Sequence, residues 1–283
     1  MKYIGKSLDG FSYAMKGLLD IYSIDADQVP DPDCLSFRAF SFQMDGEVSL
    51  WFQTAISWER YMENLCRNLG LKEQLKVCEA RKFFDKKWNY DGWFLVGEIS
   101  GLEMIQSIRN LLYHAIKSFY LCKTFDSQRI ILCNPMGSPY RILDYEILKE
   151  KAEASEGFIA WFEREGESKI SIASPNSIAK QMLAWRCKHP EFSIKNQLKK
   201  AEERYTGVGK EVYSMQYAIM QFQIQFQKAL EYFYQFEMID QSLYRELRDK
   251  LDHLPLIRKA DDLGCCEELE EKLWNRLEKT VTW

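Results

Sequence analysis

Apolar residues recur at three- and four-residue steps over much of this chain, and those steps predict helices. From Val48 to Leu71 the recurring positions are Trp51, Ala55, Trp58, Tyr61, Met62, Leu65 and Leu69, the stripe of an amphipathic helix. "SGLEMIQSIRNLLYHAIKSFYLC", from Ser100 to Cys122, predicts a second helix. Ser100 is its cap, and Ile105, Ile108, Leu112, Ala115, Ile116 and Phe119 form its stripe. From Ile194 onward the pattern is almost wholly helical. "YSMQYAIMQFQIQFQKALEYFYQFEMI" is long enough for a central bundle helix. "DQSLYRELRDKLDHLPLIRK" follows, with Asp240 or Ser242 as cap and Pro255 as stop, and "CCEELEEKLWNRLEKTV" closes the chain.

Between these stretches the pattern changes. "DADQVPDPDC" reads as an acidic loop between a short helix and an extended piece, "LSFRAFSFQM". "CNPMGSPY" ends the first helical part with two prolines and a glycine. A charged helix, "DYEILKEKAEAS", leads into "FIAWFEREGESKISIASPNS", whose two β-prone arms about Glu165 to Glu167 predict a hairpin. "SIAKQMLAWRCKHPEF" restarts helix and stops at Pro190. The expected fold is mainly α: a helical unit over 1–133, an insert with a hairpin over 134–193, and a second helical unit over 194–283.

Composition narrows this further. At 283 residues, 46% hydrophobic and 14% aromatic, the chain can bury a real core and is neither fibrous nor disordered. Seven prolines and 14 glycines are few for a turn-rich β architecture. The first residues contain no uninterrupted apolar segment with a cleavage site, and no window is apolar enough to span a bilayer. The expectation is a soluble, cytoplasmic protein without a membrane partner. Eight cysteines stand at irregular spacings with no C-x-x-C pair, so they read as reduced, packed thiols and not as a zinc or redox site. A net charge of −4 excludes wholesale coating of nucleic acid but leaves room for a local basic groove. No cofactor or metal is implied by any motif.

Candidate chemistry lies in two matched motifs. His114 has Arg109 five positions earlier in "RNLLYH", and His253 has Arg248 five positions earlier in "RDKLDH". Each arginine is followed by a small polar residue, Asn110 in one and Asp249 in the other. On a helix, five steps turn about 140°, so arginine and histidine lie on different faces. Asn110 and His114, like Asp249 and His253, are i and i+4 and share a face, where the amide or carboxylate can orient the imidazole. An oriented imidazole beside a guanidinium suits phosphodiester chemistry on RNA. The imidazole moves protons for the 2′-hydroxyl and the leaving 5′-oxygen, and the guanidinium holds the anionic phosphate.

These motifs resemble those of the HEPN superfamily of α-helical ribonucleases, whose signature is Arg, a polar Asn, Asp or His, then His after four to six intervening residues. Two copies in one chain resemble the tandem arrangement of type VI CRISPR effector nucleases and of compact defence and toxin ribonucleases. The resemblance implies that Arg109, Asn110, His114, Arg248, Asp249 and His253 build one composite, metal-independent endoribonuclease site, within one chain or across a homodimer. It implies an RNA substrate, a role in antiphage defence or toxin action, and control by a guide or regulatory RNA or an antitoxin. It covers the two short motifs and their helical surroundings; the insert matches nothing in the family.

Blander readings stand beside these. A single histidine on an apolar helix is commonly a packed core residue. His189 in "RCKHPEF" has Arg186 at the wrong spacing and Pro190 behind it, so it reads as structural. "EARKFFDKKWNYDGW" interleaves Arg81, Lys82, Lys86 and Lys87 with Phe83, Phe84, Trp88 and Tyr90. Cations beside aromatics suit single-stranded RNA, and equally a solvated helix over a core. "YTGVGKEV" lacks the spacing of a phosphate loop. The alternative to the nuclease is a non-catalytic helical scaffold that binds RNA or a protein partner.

Overall fold

The apolar runs FLV, FYLC, IILC and FIAWF are strands of one six-stranded antiparallel sheet. The computed structural model describes residues 10–22, 24–25, 27–45, 51–54, 56–86, 90–99, 118–133, 140–163, 170–194, 196–197, 211–254 and 264–281. In chain order its elements are α1 (Gly10–Ile21), α2 (Pro32–Ser36), β1 (Phe42–Asp45), β2 (Trp51–Thr54), α3 (Trp58–Asn68) and β3 (Leu75–Glu79). Then come α4 (Ala80–Lys86), β4 (Trp93–Ile99), β5 (Ser118–Thr124), β6 (Arg129–Cys133), β7 (Arg141–Asp144), α5 (Tyr145–Ala154) and β8 (Phe158–Phe162). The last are α6 (Pro175–Lys188), α7 (Glu211–Gln235), α8 (Gln241–Asp252) and α9 (Gly264–Thr280). Two compact units divide the chain: one holds Met1–Pro32 and Leu65–Ile172, the other Asp33–Asn64 and Ala173–Trp283.

The first unit is built on the sheet, in the order β3-β8-β4-β5-β6-β7, with every neighbouring pair antiparallel. Helix α1 covers β4 and β5 on one face, and α4 and α5 cover the other. Phe119 and Leu121 point to α1, where Phe119 meets Phe11 edge-on at 5.2 Å. Tyr120 and Cys122 point the other way, into a cluster with Phe83, Phe84, Tyr145, Leu148, Ile159 and Trp161. Each large apolar side chain buried this way contributes roughly 1.5–3 kcal/mol. A strand covered on both faces has no polar side, so its sequence is apolar throughout and its period of two disappears.

That explains where the helical reading fails. The chain is not a mainly α or all-α pair of helical bundles but an α/β mixture. The predicted helix over Ser100–Cys122 ends in Ser118–Thr124, which is β5; residues 100–117 lie outside the described residues. The predicted hairpin is absent as drawn: β8 is a central strand between β3 and β4, and residues 170–174 carry no strand. The boundary at 133/134 falls inside the sheet, because β6 pairs with β7 across it. The stretch 134–193 supplies β7, α5 and β8 to the first unit and α6 to the second.

Strand β4 contains a bulge between Val96 and Ile99. Glu98 there adopts φ 61°, in the left-handed region. The extra residue gives Ile99 a seat in the core cluster that holds Phe94 and Val96; unbroken alternation would have aimed Glu98 into it. A Cβ on Gly97 would lie 2.2 Å from the Phe158 ring, so the bulge requires glycine at that place.

The second unit is mainly helical. Strands β1 and β2 pair antiparallel, Phe42 against Thr54 through Asp45 against Trp51. Trp51 is thus in a strand, and the helix predicted from Val48 begins only at Trp58. Likewise "LSFRAFSFQM" is extended only from Phe42, after the end of α2 and a single 3₁₀ turn at Arg38–Phe40. Helix α7 buries Phe222, Phe226, Leu230 and Phe233, spaced by three and four, and packs against β2 and α8. Phe40 joins Phe233 at 5.6 Å and Trp274 of α9 at 5.7 Å. Ser174 caps α6 through the Ser177 N–H, with Pro175 as its first residue. Among the described residues no helix is long and apolar enough to cross a membrane.

Candidate functional site

The second motif lies on the last turns of α8. Asp240 starts this helix, its carboxylate accepting the Leu243 N–H at 2.9 Å. Leu247 and Leu251 are its buried residues, and a stripe that narrow leaves most of the helix to solvent. Asp249 and His253 are on the open side, with side chains 77% and 76% exposed. His253 is the C-terminal cap, and its backbone N–H donates to the Asp249 carbonyl at 3.1 Å. Its Nδ1 stands 2.8 Å from that same carbonyl oxygen and 3.3 Å from Asp249 Oδ1. A carbonyl only accepts, so Nδ1 carries the proton in this bond and the neutral ring presents Nε2 as a proton acceptor.

Arg248 is held differently. Its Nε donates to Asp252 Oδ2 at 3.0 Å and its Nη1 to Glu231 Oε1 of α7 at 3.1 Å. The hydrogen bond to Asp252 raises the guanidinium further above its already high value. Two carboxylates thus share one cation, which any anionic ligand would have to displace or join.

Arg109, Asn110 and His114 lie outside the described residues. Of the residues considered for RNA contact, Arg81 and Lys82 are exposed on α4, and Lys82 pairs with Glu79 at 2.6 Å. Lys86 is the last residue of α4; Lys87 and Trp88 lie outside the described residues. Among the described aromatics of this stretch, Phe83 and Phe84 face inward and offer no stacking surface. Phe83 and Phe84 are buried in the core cluster, Phe83 5.1 Å from Phe94 and from Trp161. Tyr90 is half-buried and donates to the Phe162 carbonyl at 2.5 Å. Here the alternation is the inside and outside of a short helix on a core. His189 packs its ring 5.2 Å from Trp185 and has Glu191 at 3.2 Å.

Sequence reasoning missed a buried charge cluster in the second unit. Asp33, with a fully buried side chain, accepts from Arg38 Nη1 and from Lys228 Nζ, each at 2.7 Å. Gln225 Nε2 stands 3.5 Å from the same carboxylate. Burial pushes the Asp33 carboxyl up, but the Lys228 ammonium and then the Arg38 guanidinium outweigh it and hold it below its ordinary value. The cluster ties α2 and the 3₁₀ turn to α7, and Lys228 is 195 residues from Asp33, so no local spacing announces it. A second buried carboxylate, Glu270, is satisfied by Arg186 at 2.7 Å and the Ile194 N–H at 3.0 Å. Among the described residues no group of three or more His, Cys, Asp or Glu side chains could hold a metal ion.

No protein-family model matches this chain, and neither a curated protein nor a solved structure matches it.

Proposed function

We propose that this chain is an endoribonuclease that cleaves RNA without a metal, using Arg109, Asn110 and His114 together with Arg248, Asp249 and His253. The observation that carries the reading is the exposed His253 ring, whose Nδ1 lies 2.8 Å from the Asp249 carbonyl oxygen, which leaves Nε2 of the neutral ring as its proton acceptor. One imidazole takes the proton of the ribose 2′-hydroxyl as its oxygen attacks phosphorus. The other, protonated, gives its proton to the leaving 5′-oxygen, and the P–O5′ bond breaks. The arginines hold the non-bridging oxygens as charge gathers on them. The product is a 2′,3′-cyclic phosphate, which water opens to a 3′-phosphate. Antiphage defence or toxin action, with a guide or regulatory RNA or an antitoxin as controlling partner, belongs to the same proposal. The resemblance to HEPN ribonucleases supports it through the two motifs, not through an all-helical fold.

The test uses labelled single-stranded RNA and tRNA with EDTA present. Wild type is expected to leave cyclic-phosphate or 3′-phosphate ends, and His114→Ala and His253→Ala are each expected to lose cleavage. Cleavage that survives both substitutions removes the site assignment.

One observation favours a second reading, binding of RNA or a protein partner without cleavage. Arg248 is occupied by Glu231 and Asp252, which suits a structural cation. Under that reading wild type binds but leaves the RNA intact.

A further inference from the structure

We propose that Glu231 and Asp252 are a built-in brake on RNA binding. They occupy Arg248 where a phosphate would sit, and the arginine takes hold of RNA only as that grip is released. The inference rests on the nuclease reading for its ligand and adds a control to that same site. Its test reads binding, not cleavage.

A guanidinium is a planar fork with two edges that match a pair of phosphate oxygens, Nε with Nη2 and Nη1 with Nη2. Here Nε donates to Asp252 Oδ2 at 3.0 Å and Nη1 to Glu231 Oε1 at 3.1 Å. Each edge therefore has one nitrogen already engaged by a carboxylate. A phosphate that takes either edge must displace at least one of them, and it would stand beside negative charge that repels it. The two carboxylates are themselves placed by the helices. Asp252 is four residues on from Arg248 along α8, so the pair shares a face. Glu231 comes from α7, where Gln227, one turn earlier, donates its Nε2 to the same Oε1 at 2.8 Å.

Magnitude separates a brake from a permanent brace. The side chain of Arg248 is 31% exposed, that of Glu231 50% and that of Asp252 53%. Ion pairs this open to water favour their closed form by only about two- to fivefold each. The Asp33 carboxylate, fully buried between Arg38 and Lys228, is the contrasting case, where removing one partner strands a charge away from water. A strand of RNA that makes several phosphate contacts at once can open a grip as weak as that on Arg248. The grip lowers the affinity of every such strand by the same factor, so it sets a threshold for binding and does not read sequence.

The test is the affinity of the full chain for a fluorescein-labelled, single-stranded 2′-O-methyl RNA, read by anisotropy in EDTA. Its riboses lack the attacking hydroxyl, so the probe stays intact whether or not the protein is a nuclease. Glu231→Gln, which keeps an oxygen for Gln227, and Asp252→Asn are each expected to bind about two- to fivefold tighter than wild type. The double variant is expected to bind tighter than either, and circular dichroism is expected to be unchanged in all three. In an Arg248→Ala background the same substitutions are expected to lose most of that gain, because the group they release is gone. An equal gain without Arg248 overturns the proposal, since it would reflect net charge alone. Unchanged or weaker affinity overturns it too, as the result of carboxylates that only brace Arg248 in the fold. So does an absence of RNA binding from wild type and variants alike. Tighter binding by the variants, with cleavable RNA left whole by wild type, keeps the brake and removes only the nuclease reading.

Discussion

Asp249 holds His253 at two points: its backbone carbonyl lies 2.8 Å from Nδ1 and its Oδ1 lies 3.3 Å from the same nitrogen. The pair is i, i+4 on α8, and the bond to the carbonyl selects the ring's tautomer. Nitrogen-15 correlation spectra of imidazole-labelled protein should therefore show neutral His253 with its proton on Nδ1. Asp249→Ala should keep that tautomer, because the carbonyl remains. A dominant Nε2–H form would remove the proton acceptor from the solvent side and with it the role given to this ring.

Asp33 and Lys228 stand 195 residues apart and meet at 2.7 Å. Removing the charge of Asp33 leaves Lys228 and Arg38 facing each other with little water. Asp33→Asn should cost about 3 kcal/mol in urea unfolding, the scale for breaking a buried ion pair from one side. The carboxyl is held below its ordinary value in the fold. Its contribution is thus present above the unfolded value, about 4, and is lost as pH falls through the lower folded value. The gap in melting temperature between wild type and Asp33→Asn should stay open at neutral pH and close in acid. A gap that widens in acid contradicts the assignment.

Glu98 holds φ 61° in the β4 bulge, a conformation glycine adopts at little cost and other residues do not. Glu98→Gly and Glu98→Ala both remove the side chain and differ in backbone freedom. The glycine variant should be more stable by about 1 kcal/mol in denaturant titration. Equal stabilities would mean that the bulge relaxes when the glutamate is gone.

Thiol reactivity should sort by burial. Cys187 is exposed. Burial pushes Cys66 up to about 12 and Cys133 up to about 11, so neither forms thiolate near neutrality. Mass spectrometry after brief alkylation of folded protein should find Cys187 modified and Cys66 and Cys133 intact. Rapid labelling of Cys66 would show that its surroundings open readily.

What the sequence discloses depends on how local each feature is. The stripe of α7 through Phe222, Phe226, Leu230 and Phe233, the Asp240 cap of α8 and the stop after Asp252 are visible because helix periodicity and capping act within one or two turns. Strands β5 and β8 are hidden because α1 covers one face and α4 and α5 the other. FYLC and FIAWF then carry no alternation to separate them from helix. Their assignment to strands depends on partners: β8 on Leu75–Glu79, some eighty residues earlier in the chain, and β5 on β4 and β6. The candidate site follows the same rule. The Asp249–His253 relation is helix geometry and can be read directly. The hold of Glu231 on Arg248 comes from another helix, and the Asp33–Lys228 pair spans most of the chain, so neither leaves a local mark. The acidic, proline-containing "DPDC" reads as a loop, although Pro32–Ser36 is helical and Asp33 is fully buried.

The central claim is that the two Arg/His motifs form one ribonuclease site, and the direct measurement is the cleavage rate of the combined variant. Groups that act on one transition state lose their effect together. Wild type should cleave single-stranded RNA in EDTA, and His114→Ala and His253→Ala should each abolish most of that rate. The double variant should be no slower than the worse single one. Losses that multiply in the double variant, or a wild type that leaves RNA intact under every activating condition, would contradict the account.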